Sequence, residues 1–303
     1  MIGPMEESLS PMGATIKHLW ISMRPKQWTK NVLLFAALIF SQNLFKPGMV
    51  LLSVVAFIAF CLISSGVYLL NDLIDIDKDK KHPKKSHRPL ASGVLDPAVA
   101  KTACAFLLAL SLLTSLFINR AFAGIVLGYL VLQIGYFYFL KEAVILDVFS
   151  IAAGFFLRVI AGAEAIEVPI SSWLLICTLF LSLFLGLGKR RHELVFLGEG
   201  GKDHRGVLKD YNVPLLDQMV GVATAGTVIS YALYTLSHET IQKFHTQNLW
   251  FTIPIVLYGV FRYLYLVYQK EKGGNPESVF FEDRPALLSI VLYAIVVGII
   301  IYS

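Results

Sequence analysis

Apolar runs of about 20 residues recur from one end of the chain to the other, separated by short polar interruptions and two long charged ones. Nine stretches read as candidate membrane spans: about 27–45, 49–71, 97–118, 121–140, 146–165, 170–188, 213–236, 249–269 and 286–303. A helix rises 1.5 Å per residue, so each is long enough, or nearly so, to cross a hydrocarbon layer of about 30 Å. The first, which carries Gln42 and Asn43 near its end, and the last are the weakest. Ahead of them, Ile16 to Met23 suits an interfacial helix anchored by Trp20. The expected fold is therefore all-α and polytopic, a single transmembrane domain over 1–303. It has an N-terminal segment at 1–24 and charged loops at 72–96 and 189–212. No internal repeat or cleavable leader is expected.

Composition agrees with a membrane protein. Of the 303 residues 56% are hydrophobic and 16% charged, with a mean hydropathy of +0.67, where a soluble domain carries about 25% charge. The charges also orient the spans. With the N-terminus cytoplasmic, three of the 26 Lys and Arg (Lys46, Arg120 and Lys243) fall on the far side. Lys101, Arg158 and Arg262 lie within spans, and the other 20 are cytoplasmic. Both long loops then lie in the cytoplasm, the C-terminus lies on the opposite side, and the polar chemistry belongs to the cytoplasmic surface of a plasma (inner) membrane. Cys61, Cys104 and Cys177 sit in apolar runs and read as packing residues.

The densest polar signal is "NDLIDIDKDKKHPKKSHRPLASG", Asn71 to Gly93, directly after an uncharged span. Asn71, Asp72, Asp75 and Asp79 spell N-D-x-x-D-x-x-x-D. On a helix the three aspartates fall within about 60° of one another and Asp77 points nearly the opposite way. Carboxylates crowded on one stripe repel unless a cation stands between them. Mg²⁺, held by carboxylates, phosphate oxygens and water, is the natural occupant. The plainer alternative is a solvated helix end paired to the lysines that follow. Arg88, in the tight R-P-L-A-S-G segment, can face the same cavity. Arg158, about 18 Å along the fifth span, is a charge that membranes tolerate mainly in cavities. Asp147, 11 residues earlier, returns to the same helix face. Pairing of Arg158 with a buried acid or carbonyl is the competing reading. The histidines lack metal-ligand spacing.

An N-D-x-x-D-x-x-x-D motif closing the second of nine spans resembles the UbiA superfamily of intramembrane prenyltransferases. That resemblance implies nine helices around a cavity open to the cytoplasm, with acidic motifs after the second and sixth spans holding Mg²⁺ and a prenyl diphosphate. The chain departs from this pattern after the sixth span. In "GLGKRRHELVFLGEGGKDHRGVLKDYN" (Gly186–Asn212) the acids Glu193, Glu199, Asp203 and Asp210 form no D-x-x-x-D, and Lys189, Arg190 and Arg191 stand at the span end. Phosphate held directly by Lys and Arg is favoured there.

This variation is similar to one branch, the decaprenyl-phosphate phosphoribosyltransferases. "RPKQWTKNVLLFA", "LKEAVILDVFSIAAGFFLRVIAGAEA", "LGLGKRRHEL", "FRYLYLVY" and "EDRPAL" share the likeness. It implies transfer of 5-phosphoribosyl from phosphoribosyl diphosphate (PRPP) to a polyprenyl phosphate, on the way to lipid-linked arabinose or a related cell-wall sugar. Asp72, Asp75 and Asp79, assisted by Asn71, are then expected to hold Mg²⁺ on the leaving diphosphate, with Arg158 beside the reacting groups. Lys26, Lys30, Arg88, Tyr136, Lys141, Asp147, Lys189, Arg190 and Arg191 are candidates for contact with substrate. Lys189 to Arg191 could grip the 5-phosphate or the lipid phosphate, or simply mark the cytoplasmic side. Two other functions stay open: prenyl transfer from a polyprenyl diphosphate to a small acceptor, and a transporter with Asp147, Arg158 and Arg262 as a charge relay. The bilayer is the expected surrounding, nucleic acid is not an expected partner, and self-association is left open.

Overall fold

Five long helices begin where the sequence supplies a cap or a proline. Asp96 accepts a hydrogen bond from Ala98 N (2.6 Å) with Pro97 in the first turn. Asn119 accepts from Phe122 N (2.7 Å) and Asn212 from Leu215 N (2.8 Å). Each side chain satisfies an amide that the first helical turn leaves unpaired. A computed structural model of the chain describes residues 10–83, 85–204, 206–270, 273–274, 279–280 and 282–302, the side chains of 11 and 196–204 excepted. Lys84 and Arg205, and the side chains of Glu199, Lys202 and Asp203, all in the charged stretches singled out above, lie outside what is described.

The described residues form helices and connecting turns, without a strand. In order they are α1 (Pro11–Met23), a 3₁₀ segment (Pro25–Leu34), α2 (Phe35–Phe40), α3 (Pro47–Ile74), α4 (Ile76–Lys80), α5 (Pro97–Ile118), α6 (Arg120–Tyr138), α7 (Leu146–Ala165), α8 (Ser172–His204), α9 (Val213–Leu236), α10 (His238–Phe244), α11 (Ile253–Gln269) and α12 (Arg284–Tyr302). Among the described residues eight helices are long and apolar enough to cross a membrane: α3, α5, α6, α7, α8 as far as Val195, α9, α11 with the turn before it, and α12. In α3 and α7, 56% of the most apolar window is buried, against 22–33% in the other six. These two are the inner helices, and both meet the 3₁₀ segment. Outer helices turn Phe106, Phe117, Val222 and Ile299 outward.

Two expectations change here. The first expected span, 27–45, is not one α-helix: it is the 3₁₀ segment followed by the short α2. The segment presses on α7 at Gly162, where a Cβ would lie 2.1 Å from Leu34 O. Such backbone contact fixes this stretch against its neighbour, where packing outweighs the regular helix. The expected loop 189–212 is also mostly helix, because α8 continues to His204 and only a 3₁₀ turn (Gly206–Asp210) precedes α9. A polar sequence beyond a span need not leave the helix, since charged residues are good helix formers once out of lipid.

Candidate active site

The acidic stripe forms as its spacing predicts, with one break. α3 ends at Ile74, Asp75 turns, and α4 carries Asp79. Bonds from Asp75 N to Asn71 O (3.0 Å) and from Asp79 N to Asp75 O (2.8 Å) keep the helical register across the break. Asp72 and Asp79 are buried, Asp75 is half-buried, and the Asp77 side chain, 92% exposed, pairs with Lys80.

Cations surround the stripe. Nη1 of Arg88 donates to both Asp72 Oδ1 (3.1 Å) and Asp79 Oδ2 (2.6 Å). Nη2 of Arg24 donates to the same Asp72 oxygen while its guanidinium lies over the Tyr68 ring. Lys85 stands 4.0 Å from Asp79, and Lys141 stands 3.7 Å from Asp75. The Asn71 amide sits beside the Asp72 carboxylate. Lys141 comes from the turn between α6 and α7, so cations from three separate stretches of chain converge on three carboxylates.

One step deeper, Arg158 is 5% exposed. It donates to Asn31 Oδ1 (2.8 Å), Gly154 O (2.8 Å) and Tyr129 Oη (2.9 Å). Asn31 in turn donates to Ser64 Oγ (3.3 Å) and Cys61 Sγ (3.4 Å) of α3. Lys30 is half-buried on the same 3₁₀ segment, and Lys26 is exposed.

Several expected substrate contacts sit elsewhere. Arg190, 1% exposed, donates to Asp147 Oδ2 and to Glu193 Oε2 (2.7 Å). Asp147 is fully buried and also accepts from the Tyr211 hydroxyl (2.9 Å). The equal heading of Asp147 and Arg158 along α7 therefore does not make them partners. Arg191 donates to Asp217 and lies 3.9 Å over the Tyr268 ring, and Arg262 forms a bidentate pair with Asp283. Asp147, Arg158 and Arg262 thus have separate partners, the opposite of a relay. Lys189 is half-buried, and Tyr136 packs against the core around Phe60 and Phe122.

The sequence pattern of the UbiA prenyltransferase family matches residues 32–290. The chain belongs to that family. A decaprenyl-phosphate phosphoribosyltransferase of Mycolicibacterium smegmatis is 30% identical, with 98% of each chain covered. One from Corynebacterium glutamicum is 33% identical over 87% of this chain and 80% of its own. Among solved structures, a UbiA homolog from Archaeoglobus fulgidus bound to GPP and Mg²⁺ superposes with a TM-score of 0.72 at 20% identity, covering 94% of this chain and all of that one. That likeness is one of fold.

The donor set can be judged against a metal. Among the described residues no group of three His, Cys, Asp or Glu converges as a ready-made cage. Two carboxylate oxygens nevertheless reach one point, the position of Arg88 Nη1. All donors there are hard oxygens. That set fits an ion taking two or more carboxylates from the protein and its remaining oxygens from phosphate and water, as Mg²⁺ does. Sequence reasoning missed Arg24, Asn31 and Tyr129 as neighbours of the site. Arg24 was legible in "RPKQW" as a charge at the mouth of a span, whereas Asn31 and Tyr129 carry no mark in an apolar stretch.

Proposed function

We infer that this chain transfers 5-phosphoribosyl from PRPP to a polyprenyl phosphate, releasing diphosphate. The observation that carries this reading is one carboxylate stripe ringed by Arg24, Arg88, Lys85 and Lys141. A substrate rich in phosphate suits that mixture. The names of the relatives from Mycolicibacterium and Corynebacterium support the same reaction. Where a second acidic motif would serve a prenyl diphosphate, the nearest acid of α8, Glu193, is engaged by Arg190.

Asp72, Asp79 and Asp75, with Asn71 beside them, would hold Mg²⁺. Bound there, the ion supplies charge neutralisation for the leaving diphosphate. Arg24, Arg88 and Lys141 donate to diphosphate oxygens and orient C1 toward the membrane side of the site. The C1–O bond to diphosphate breaks, its electron pair leaving with that group. An oxygen of the lipid phosphate forms the new C1–O bond from the opposite face through an oxocarbenium-like state. The attacking phosphate is already anionic, so no general base is assigned.

Topology fits a soluble donor and a lipid acceptor. The Lys and Arg distribution supports a cytoplasmic acidic stripe and a cytoplasmic N-terminus in the plasma (inner) membrane. At about 2.0 Å per residue in 3₁₀ form and 1.5 Å in α form, Pro25–Phe40 reaches about 29 Å. It therefore supplies a ninth crossing, which puts the C-terminus on the far side. The test gives purified protein ribose-labelled PRPP, a polyprenyl phosphate and Mg²⁺, and reads label in the organic extract. Label that vanishes with EDTA and with Asp75→Asn supports the reading. Turnover of a polyprenyl diphosphate instead would replace it.

A further inference from the structure

Arg158 differs from the other arginines inside this bundle in having no acid. Arg190 has Asp147 and Glu193, Arg191 has Asp217, and Arg262 has Asp283. Arg158 is as thoroughly enclosed, yet its three acceptors are an amide oxygen, a carbonyl and a phenol, and no carboxylate touches it among the described residues. A buried cation is normally paired, because desolvation removes the water that would otherwise stabilise it. Ring faces of Tyr129 and Phe155, 4.8 and 5.5 Å away, soften the cost without supplying negative charge.

The guanidinium also has capacity to spare. It carries five N–H groups and makes three hydrogen bonds, which leaves two, one on each terminal nitrogen. The space beside the spare Nη1 donor has a definite edge. A Cβ built on Gly154 would stand 3.4 Å from Arg158 Nη1 and 3.5 Å from Gln133 Nε2. The half-buried Gln133 amide makes no hydrogen bond among the described residues. One guanidinium nitrogen, Nη1, and the Gln133 amide nitrogen therefore converge on the small space left because residue 154 has no side chain. Lys30 adds positive potential nearby, as an electrostatic neighbour of Tyr129.

The gap lies in line with the acidic stripe. Asn31, held by Arg158, bonds Ser64 of α3, and Tyr68 and Asp72 follow one and two turns later on that helix. Ser64 and Asp72 are thus about 12 Å apart along the axis. A planar fork with unused donors and no counter-ion is what recognises a doubly charged tetrahedral anion.

We propose that Arg158 and Gln133, across the gap at Gly154, form a binding site for a phosphate monoester, about two helical turns deeper than the carboxylates. Identifying the ligand as a substrate phosphate rests on the phosphoribosyl reading, under which two groups share this chemistry: the 5-phosphate of the donor and the phosphate of the lipid.

The test uses full-length protein in detergent with three variants, Arg158→Gln, Gln133→Leu and Gly154→Ala. Gly154→Ala improves helix propensity while filling the gap, so it keeps the test open should Arg158→Gln fail to fold. Protection against thermal unfolding is measured with ribose 5-phosphate and with farnesyl phosphate, and KM is measured for PRPP and for polyprenyl phosphate. Wild type is expected to be protected by at least one monoester, and the variants to lose that protection. KM for the matching substrate should rise about 10- to 100-fold, the worth of a charge-assisted hydrogen bond, with KM for the other nearly unchanged. A rise for PRPP assigns the site to the donor, and a rise for the lipid assigns it to the acceptor. Protection equal in wild type and variants, or a fall in kcat with both KM values unchanged, overturns the site. Absence of labelled lipid from wild type overturns the reaction instead, while the protection data still decide the phosphate site.

Discussion

Tyr211→Phe should weaken catalysis through a residue it never touches, Lys141. The turn between α6 and α7 brings Lys141 to Asp75, and it closes at Ile145 with φ 70° and ψ −48°. Leu146 N bonds Val144 O (2.8 Å), which makes Ile145 the centre of a tight three-residue turn. A β-branched residue at positive φ is a strained outlier, worth about 1–3 kcal/mol. The Tyr211 hydroxyl holds the turn by accepting from Ile145 N (2.7 Å) and donating to Asp147 Oδ1 (2.9 Å). Burial pushes its pKa up to about 12, so it remains a donor at neutral pH. Because the folded value lies above the ordinary one near 10, this contribution is complete below about pH 10 and fades as pH rises through 12. Removing the hydroxyl takes the partner from the Ile145 N–H and a bond from the buried Asp147 carboxylate, a loss of about 1–3 kcal/mol. That matches the strain it balances, so the turn should relax and Lys141 should leave Asp75. In the transfer assay, kcat/KM for PRPP should fall about tenfold with KM for the lipid steady. A double-mutant cycle provides the check: Tyr211→Phe added to Lys141→Ala should cost little more than Lys141→Ala alone. Fully additive losses would refute the linkage and leave Tyr211 a stability residue.

Other outcomes follow from burial and packing. Asp77→Asn should keep full transfer, because its carboxylate faces solvent, whereas Asp79→Asn should lose nearly all of it; equal loss in both would undo the assignment of the stripe. Gly162→Ala should push the 3₁₀ segment off α7, since the new Cβ meets Leu34 O at 2.1 Å. A clear drop in detergent melting temperature is expected, and an unchanged melt would show that the segment moves freely.

Periodicity and charge made much of this protein legible in its sequence. Spans such as Pro97–Ile118 and Leu146–Ala165 fall where the apolar runs place them. Asp72 and Asp79 share a face because helical register fixes it, and Arg88 joins them because R-P-L-A-S-G folds back from the membrane end. Pairing across helices was not legible. Arg190 and Asp147 are 43 residues apart and meet only because α7 packs on α8. A charge at a span end can face a cavity or lock two helices together, and its spacing reads the same either way. The 3₁₀ form of Pro25–Leu34 was hidden for a related reason, since it is settled at a contact with Gly162 on another helix.

The cations on the stripe bear on the order of binding. Three carboxylates face Arg24, Arg88, Lys85 and Lys141, so the site is close to neutral without ligand. A divalent ion arriving alone must displace Arg88 from between Asp72 and Asp79 and stand beside it. Two unit charges 4 Å apart repel by about 4 kcal/mol at a protein-surface dielectric, and a divalent ion doubles that. Diphosphate arriving with the ion reverses the sign, because the displaced guanidinium gains phosphate oxygens. Mg²⁺ should therefore bind weakly alone and at least about 100-fold more tightly with diphosphate present. Calorimetric titration of Mg²⁺, with and without saturating diphosphate and corrected for complex formation in solution, measures this directly. The same titration on Arg88→Gln should show tighter binding of the ion alone and a smaller gain from diphosphate. Equal affinity in wild type with and without diphosphate would mean that the arginines do not compete with the ion, and that they act only on the acceptor side of the site.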